Sequence, residues 1–156
     1  MTTVSKSDIE TIAEILDSRP DVPGVYGYIN RETGEIGLGV DGEHRPDMIP
    51  DEEDENYDEL MDEFERCWVE IPRQGSQSAY HDMQKFIEDL KDEHLQDLLW
   101  VAIQGKGSFG RFRFVLSQPE YSEQLQQWNL FSSQCQYERA IEWLTKESFI
   151  VELEVA

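Results

Sequence analysis

The chain has 156 residues, with 34 Asp and Glu against 13 Lys and Arg for a formal net charge of −21; 38% of its residues are hydrophobic and 11% aromatic. At this length a fold buries about 70% of the surface exposed by the unfolded chain, so a core forms without metal or disulfide support, and the aromatic content excludes a disordered tail. The negative field opposes nucleic acid and anionic membranes, no run of about 18 apolar residues offers a membrane span, and the N-terminus lacks the apolar run of a secretory signal.

In chain order, a helix is expected over Asp8–Ser18, with Ser7 as N-cap, Glu10 at capping-box spacing, and Ile9, Ile12, Ala13 and Leu16 on one face. Pro20 and Pro23 end it. Val25, Tyr26, Tyr28 and Ile29 predict a strand, and Glu35–Val40 predicts a second, joined through Asn30–Gly34 with Gly34 at positive φ. Residues 41–50, with Gly42, Pro46 and Pro50, predict a loop.

Residues 51–65 carry ten carboxylates and no basic group. The run is not purely acidic: Tyr57, Leu60, Met61 and Phe64 fall at i, i+3, i+4 and i+7, which predicts an acidic amphipathic helix over Asn56–Glu65. Cys67, Val69 and Ile71 alternate with Trp68 and Glu70 as a third strand, ended by Pro72.

The pattern then turns helical. Ser78 is the expected cap of a helix burying Tyr80, Met83, Phe86, Ile87 and Leu90, and Leu95, Leu98, Leu99, Ala102 and Ile103 form the stripe of the next. Gly105 is expected to close that helix in the left-handed conformation, and Ser108 to cap a short one with Phe109, Phe112, Val115 and Leu116 inside. Two further helices carry Tyr121, Leu125 and Trp128, then Tyr137, Ala140, Ile141 and Leu144, with a break at Ser132 and Ser133. Phe149, Val151, Leu153 and Val155 alternate as a final strand expected to return to the first sheet.

The expected class is α+β: a small antiparallel sheet of three to four strands packed against a layer of four to six helices, in a single domain over 1–156. Its parts are 1–73 (helix, hairpin, acidic segment, third strand), 74–147 (helical) and the C-terminal strand at 148–156. Within this frame, several stretches resemble a bacterial family known as uncharacterised protein family 0158. They are Tyr28–Ile36, Trp68–Pro72, Tyr80–Ile87, the glycine-rich turn Gly105–Phe112 and Trp143-Leu144. The resemblance spans most of residues 8–146, implies a small bacterial cytoplasmic protein of unknown activity, and transfers no catalytic residue.

The residues themselves argue against familiar chemistry. His44, His81 and His94 have neither a His nor a Cys partner at zinc spacing. Asp51, Glu53, Glu55 and Asp62 stand at EF-hand positions 1, 3, 5 and 12, but Asn56 replaces the required Gly and position 12 holds an Asp. Gly105-Lys106-Gly107-Ser108 follows a helix instead of a strand, so the phosphate-loop context fails. Glu70 and His81 could meet in space as an acid–base pair, although Glu70, on the outward face of its strand, reads as a solvated carboxylate. No catalytic, metal or cofactor residue is therefore assigned.

Two sites remain. The stripe Tyr57, Leu60, Met61 and Phe64 is the candidate partner-binding surface, although covering the sheet or the helix hairpin is its plainer role. Lys106, Arg111 and Arg113 are the alternative anion site, set against the outward face of a buried aromatic stripe. The reading is a non-enzymatic acidic interaction or regulatory protein whose partner is a protein with a basic surface. Nucleic acid and membrane are disfavoured as partners, and two cysteines 68 positions apart suit a reduced, cytoplasmic setting. The alternatives are an enzyme of unrecognised type with a cleft between sheet and helices, and a nucleic-acid-associated factor working through the basic turn.

Overall fold

The computed structural model describes residues 2–43 and 45–151. The elements are β1 (Thr3–Val4), α1 (Lys6–Asp17), β2 (Val25–Asn30), β3 (Ile36–Val40), α2 (Tyr57–Cys67), β4 (Trp68–Glu70), α3 (Gln77–Glu88), α4 (Glu93–Ala102), α5 (Ser108–Leu116), a 3-10 turn (Pro119–Tyr121), α6 (Ser122–Lys146) and β5 (Ile150–Val151). The class is α+β, as expected. The chain forms two compact units, one from the residues up to Gly75 together with those from Gln136 onward, the other from Ser76–Cys135.

In the first unit, β2 is the central strand of an antiparallel sheet in the order β3-β2-β4. The β2–β3 hairpin runs in register from Val25↔Val40 to Ile29↔Ile36. Its turn works as the sequence predicts: Gly34 has φ 75°, and the Asn30 side chain accepts the amides of Glu32 and Thr33 at 2.8 and 3.1 Å. Successive β2 residues face opposite ways, which gives each sheet face its own helix. Gly27 faces α1 so closely that a Cβ there would stand 2.9 Å from Ile15 Cδ1. Tyr28 faces α2, its ring 5.2 Å from that of Phe64. The core on the α1 side gathers Val4, Ile9, Ile12, Leu16, Ile29, Ile71, Ala140, Leu144 and Phe149.

Four local expectations for this unit are corrected. The cap of α1 is Ser5, not Ser7: Ser5 has extended backbone angles and accepts the Asp8 amide at 3.3 Å, which places the start at Lys6. The third strand begins at Trp68, because the Trp68 amide still bonds to the Phe64 carbonyl and keeps Cys67 in the last turn of α2. The acidic helix accordingly ends at Cys67 instead of Glu65. The final strand does not join the hairpin sheet; Ile150 and Val151 pair in parallel with Thr3 and Val4. A two-residue β1 is too short to show a period of two, so nothing in the sequence marks it as a pairing partner. Leu153 and Val155, expected in the final strand, and His44 lie outside the described residues.

The second unit is built from α3, α4, α5, the 3-10 turn and the first part of α6. Met83, Ile87, Leu95, Leu99, Ile103, Phe112 and Leu116 are fully buried at its centre. Trp128 packs edge-on against Phe112 at 4.7 Å and Phe86 at 5.4 Å. Gly105 is left-handed at φ 70°, as expected. Ser76, not Ser78, precedes α3, and Gly107 occupies the cap position expected for Ser108, which becomes a buried first helical residue. Phe109 and Leu98 are exposed instead of inward, since the short α5 and α4 each turn only a narrow stripe toward the core.

The break expected at Ser132 and Ser133 is absent, and α6 runs unbroken for 25 residues. Its apolar positions serve two cores: Trp128 belongs to that of the second unit, and Ala140 and Leu144 to that of the first. The apolar period is therefore interrupted while the hydrogen-bonded helix is not, and two serines cost a helix only a few tenths of a kcal/mol each, of order ~0.5.

Candidate functional site

The acidic segment forms one wall of a groove of about 640 Å³ in the first unit. Pro46 and Pro50 hold the loop after the hairpin away from regular structure, and that loop returns Met48 across the sheet. Gly37 of β3 makes room for it: a Cβ there would collide with Met48 Cε. Met48, Leu60, Phe64 and Trp68 supply the apolar lining of the groove, and Glu32, Asp47, Asp51, Asp54 and Glu63 surround it with carboxylates. Among the described lining residues Arg45 is the one basic group.

The carboxylate run before α2 is ordered by its own backbone. Asp51 Oδ1 accepts the Glu53 amide at 3.0 Å, and Asp54 Oδ1 accepts the Asn56 amide at 3.1 Å. The Glu53 amide holds the Asp51 carboxyl below the usual carboxylate range; desolvation opposes it, and the Arg45 guanidinium 3.5 Å away adds to the lowering. Asp58 and Glu59 in the first turn of α2 and Arg66 in the last complement the helix dipole. Like charges are thus concentrated at the groove without disrupting the helix that carries them.

The four residues of the candidate stripe do share one face of α2, but they are not equally available. Phe64 is buried against Tyr28, while Tyr57, Leu60 and Met61 are half-buried. Phe64 is thus mainly a sheet-covering residue that also shows an edge to the groove. We expect Phe64→Ala to destabilise the chain by about 2 kcal/mol, below the roughly 3–5 kcal/mol of a fully enclosed aromatic truncation because the adjoining groove lets water into the space left. Chemical denaturation checks this; an unchanged midpoint would show that the ring is not part of the core.

The basic turn is arranged differently from the anion site considered above. Arg111 Nε donates to the Ala102 carbonyl at 2.8 Å, and its two terminal nitrogens donate to the carbonyls of Lys106 and Gln104. One guanidinium thereby gathers carbonyl groups left over where α4 ends, the place where a helix has unsatisfied acceptors and partial negative charge. Gly107 permits this approach, since a Cβ there would lie 2.9 Å from Arg111 Nη1. Lys106 and Arg113 are exposed. Glu70 lies in the first unit, on β4, and His81 in the second, on α3. Among the described residues no three His, Cys, Asp or Glu side chains converge as a metal site would require.

Sequence reasoning singled out α2 and missed the rest of the groove. The sequence marks Trp68 only as part of a strand, and Arg45, Asp47 and Met48 only as loop. The one available signal was a Met-Ile pair between two prolines, apolar side chains in a loop that would otherwise be polar.

A family model described as "Uncharacterised protein family (UPF0158)" matches residues 8–155. The UPF0158 protein PA5073 of Pseudomonas aeruginosa is 28% identical over 138 residues, which cover 88% of this chain and 80% of that protein. No solved structure matches the chain.

Proposed function

The chain belongs to the uncharacterised protein family UPF0158, and we propose that it acts without catalysis, as an acidic interaction or regulatory protein that binds a basic surface on a protein partner. The observation carrying this reading is the groove beside α2, where, among the described residues, five carboxylates and one arginine surround an apolar lining of Met48, Leu60, Phe64 and Trp68. A Lys or Arg side chain has the matching form, with a long apolar stem and a charged head. Carboxylates around the lining would steer such a side chain in, and the net charge of −21 would speed its encounter. The proposal includes a cytoplasmic setting, in which Cys67 and Cys135 remain thiols. Among the described residues no helix is long and apolar enough to cross a membrane. The nucleic-acid alternative is the weaker one, because the fork of Arg111 is already occupied by backbone carbonyls.

Trp68 makes the reading testable. Titration with a short peptide alternating Lys and Leu should change the tryptophan emission at low salt, with Trp68→Phe as the control. The apparent affinity should fall steeply as ionic strength rises from 0.1 to 1 M, over which the screening length shrinks from about 10 to about 3 Å. Joint replacement of Asp47 by Asn and Glu63 by Gln should weaken binding without altering the melt. Equal binding of an oligoglutamate control, or affinity indifferent to salt, would remove the proposal.

A further inference from the structure

A second surface of the first unit lies at the open edge of the sheet. Among the described residues β3 is bonded to β2 on one side only. The flanking bonds, from the Asn30 amide to the Glu35 carbonyl and from the Asp41 amide to the Gly24 carbonyl, fix which residues of the strand point inward. With the observed register, Gly37 and Gly39 bond to β2, so Ile36, Leu38 and Val40 direct their amides to the open side. The carbonyls of Ile36 and Leu38 point the same way, while that of Val40 is taken by the Glu43 amide at 3.0 Å.

Natural edge strands are usually guarded by a charge, a proline or a bulge. The segment Ile36-Gly37-Leu38-Gly39-Val40 has no charge and no proline, and its pairing with β2 runs without a bulge. Val25, Leu38 and Val40 are 45%, 49% and 41% exposed on the α1 side of the sheet. Next to them a cavity of about 470 Å³ opens between hairpin and helix, lined by Thr11, Glu14, Ile15, Ser18, Val25 and Leu38. The surroundings are acidic: Glu14, Glu35 and Glu43 are exposed on the cavity wall, before the strand and after it.

We propose that the β3 edge accepts a fourth strand, an extended segment of a partner protein with apolar side chains at alternate positions and Lys or Arg beside its ends. Its backbone takes the free groups of Ile36, Leu38 and Val40, its apolar side chains extend the face formed by Val25, Leu38 and Val40 over the cavity, and its basic ends meet the glutamates. A second copy fits less well. In a two-fold antiparallel pairing about Leu38, Glu35 of one copy comes opposite Asp41 of the other, between chains that each carry −21. This surface is separate from the groove beside α2, so the two readings stand or fall independently.

The test uses the full isotope-labelled chain and an acetylated peptide of alternating valine and threonine with two lysines at each end. The amide signals of Ile36, Leu38 and Val40 should shift on titration, and their hydrogen exchange should slow by about tenfold or more at saturation. N-methylation of alternate peptide amides, which removes its strand donors, should weaken binding by about tenfold. A Leu38→Lys, Val40→Lys chain, altered only at exposed positions, should keep its circular dichroism and lose the peptide. Shifts confined to the neighbourhood of Phe64 and Trp68 would overturn the edge proposal while leaving the groove reading in place. Binding indifferent to N-methylation would overturn it too, as would a free chain that sediments as a dimer with the three edge amides already protected.

Discussion

Phe112→Ala should lower the free energy of unfolding by about 3–5 kcal/mol, the largest effect expected of any single substitution considered for this chain. Phe112 is 1% exposed and sits at the centre of the second unit, with Trp128 at 4.7 Å and Phe86 at 6.3 Å, both edge-on. Truncation removes the ring that those two neighbours share and leaves a cavity between helices α3, α5 and α6. Denaturant titration followed by tryptophan emission reads the loss, because Trp128 stands in the affected cluster. A variant within about 1 kcal/mol of the parent would mean that this aromatic cluster is not what holds the second unit together.

Arg139→Met should cost about 3–4 kcal/mol. Arg139 on α6 and Asp17 at the end of α1 form a two-point pair, Nε to Oδ1 at 3.1 Å and Nη2 to Oδ2 at 2.6 Å, with side chains only 18% and 13% exposed. Methionine keeps most of the stem's packing but leaves the carboxylate largely out of water and without its guanidinium, a circumstance far costlier than the pair itself is stabilising. The double variant Asp17→Leu, Arg139→Met should recover much of the loss, since it removes the stranded charge. Equal destabilisation of single and double variants would show that packing at the Arg139 stem, and not the uncompensated Asp17, sets the effect.

Both residues differ in how far the sequence announced them. Phe112 was legible as core, because Phe112 and Leu116 sit one turn apart and the helix before them ends at a glycine that could be placed in the left-handed region. Arg139 was not legible at all: its partner lies 122 positions away, and a single Arg on an amphipathic helix looks like any solvated cation. Phe109 misled for the opposite reason, since its spacing to Phe112 and Leu116 also fits a helical stripe. Nine residues of α5 make only two and a half turns, and the direction in which that stripe faces the core is set by α4 packed beside it.

The candidate site divides in the same way. The acidic helix and its apolar stripe could be read from spacing alone, and so could the net charge that favours a basic partner. The groove could not, because its other wall comes from a loop whose Met48 is brought over β3 by the absence of a side chain at Gly37. The basic turn shows the reverse: three cations in eight residues suggested an anion site, and only the folded chain shows Arg111 turned back onto the carbonyls that end α4.

What the sequence by itself determined is local: the hairpin and its glycine, the helical stripes, the acidic amphipathic segment and the α+β class, all carried by periods of two or 3.6 residues and by turn chemistry that acts within a few positions. Tertiary structure decided the rest, namely the parallel pairing of β1 with β5, the continuity of α6 through Ser132 and Ser133, the partner of Arg139, the commitment of Arg111 and the wall that makes a groove beside α2. Each of these depends on which residues meet across tens of positions, where two strand residues or one cation bring too little local free energy to mark themselves, and packing and backbone hydrogen bonding make the choice.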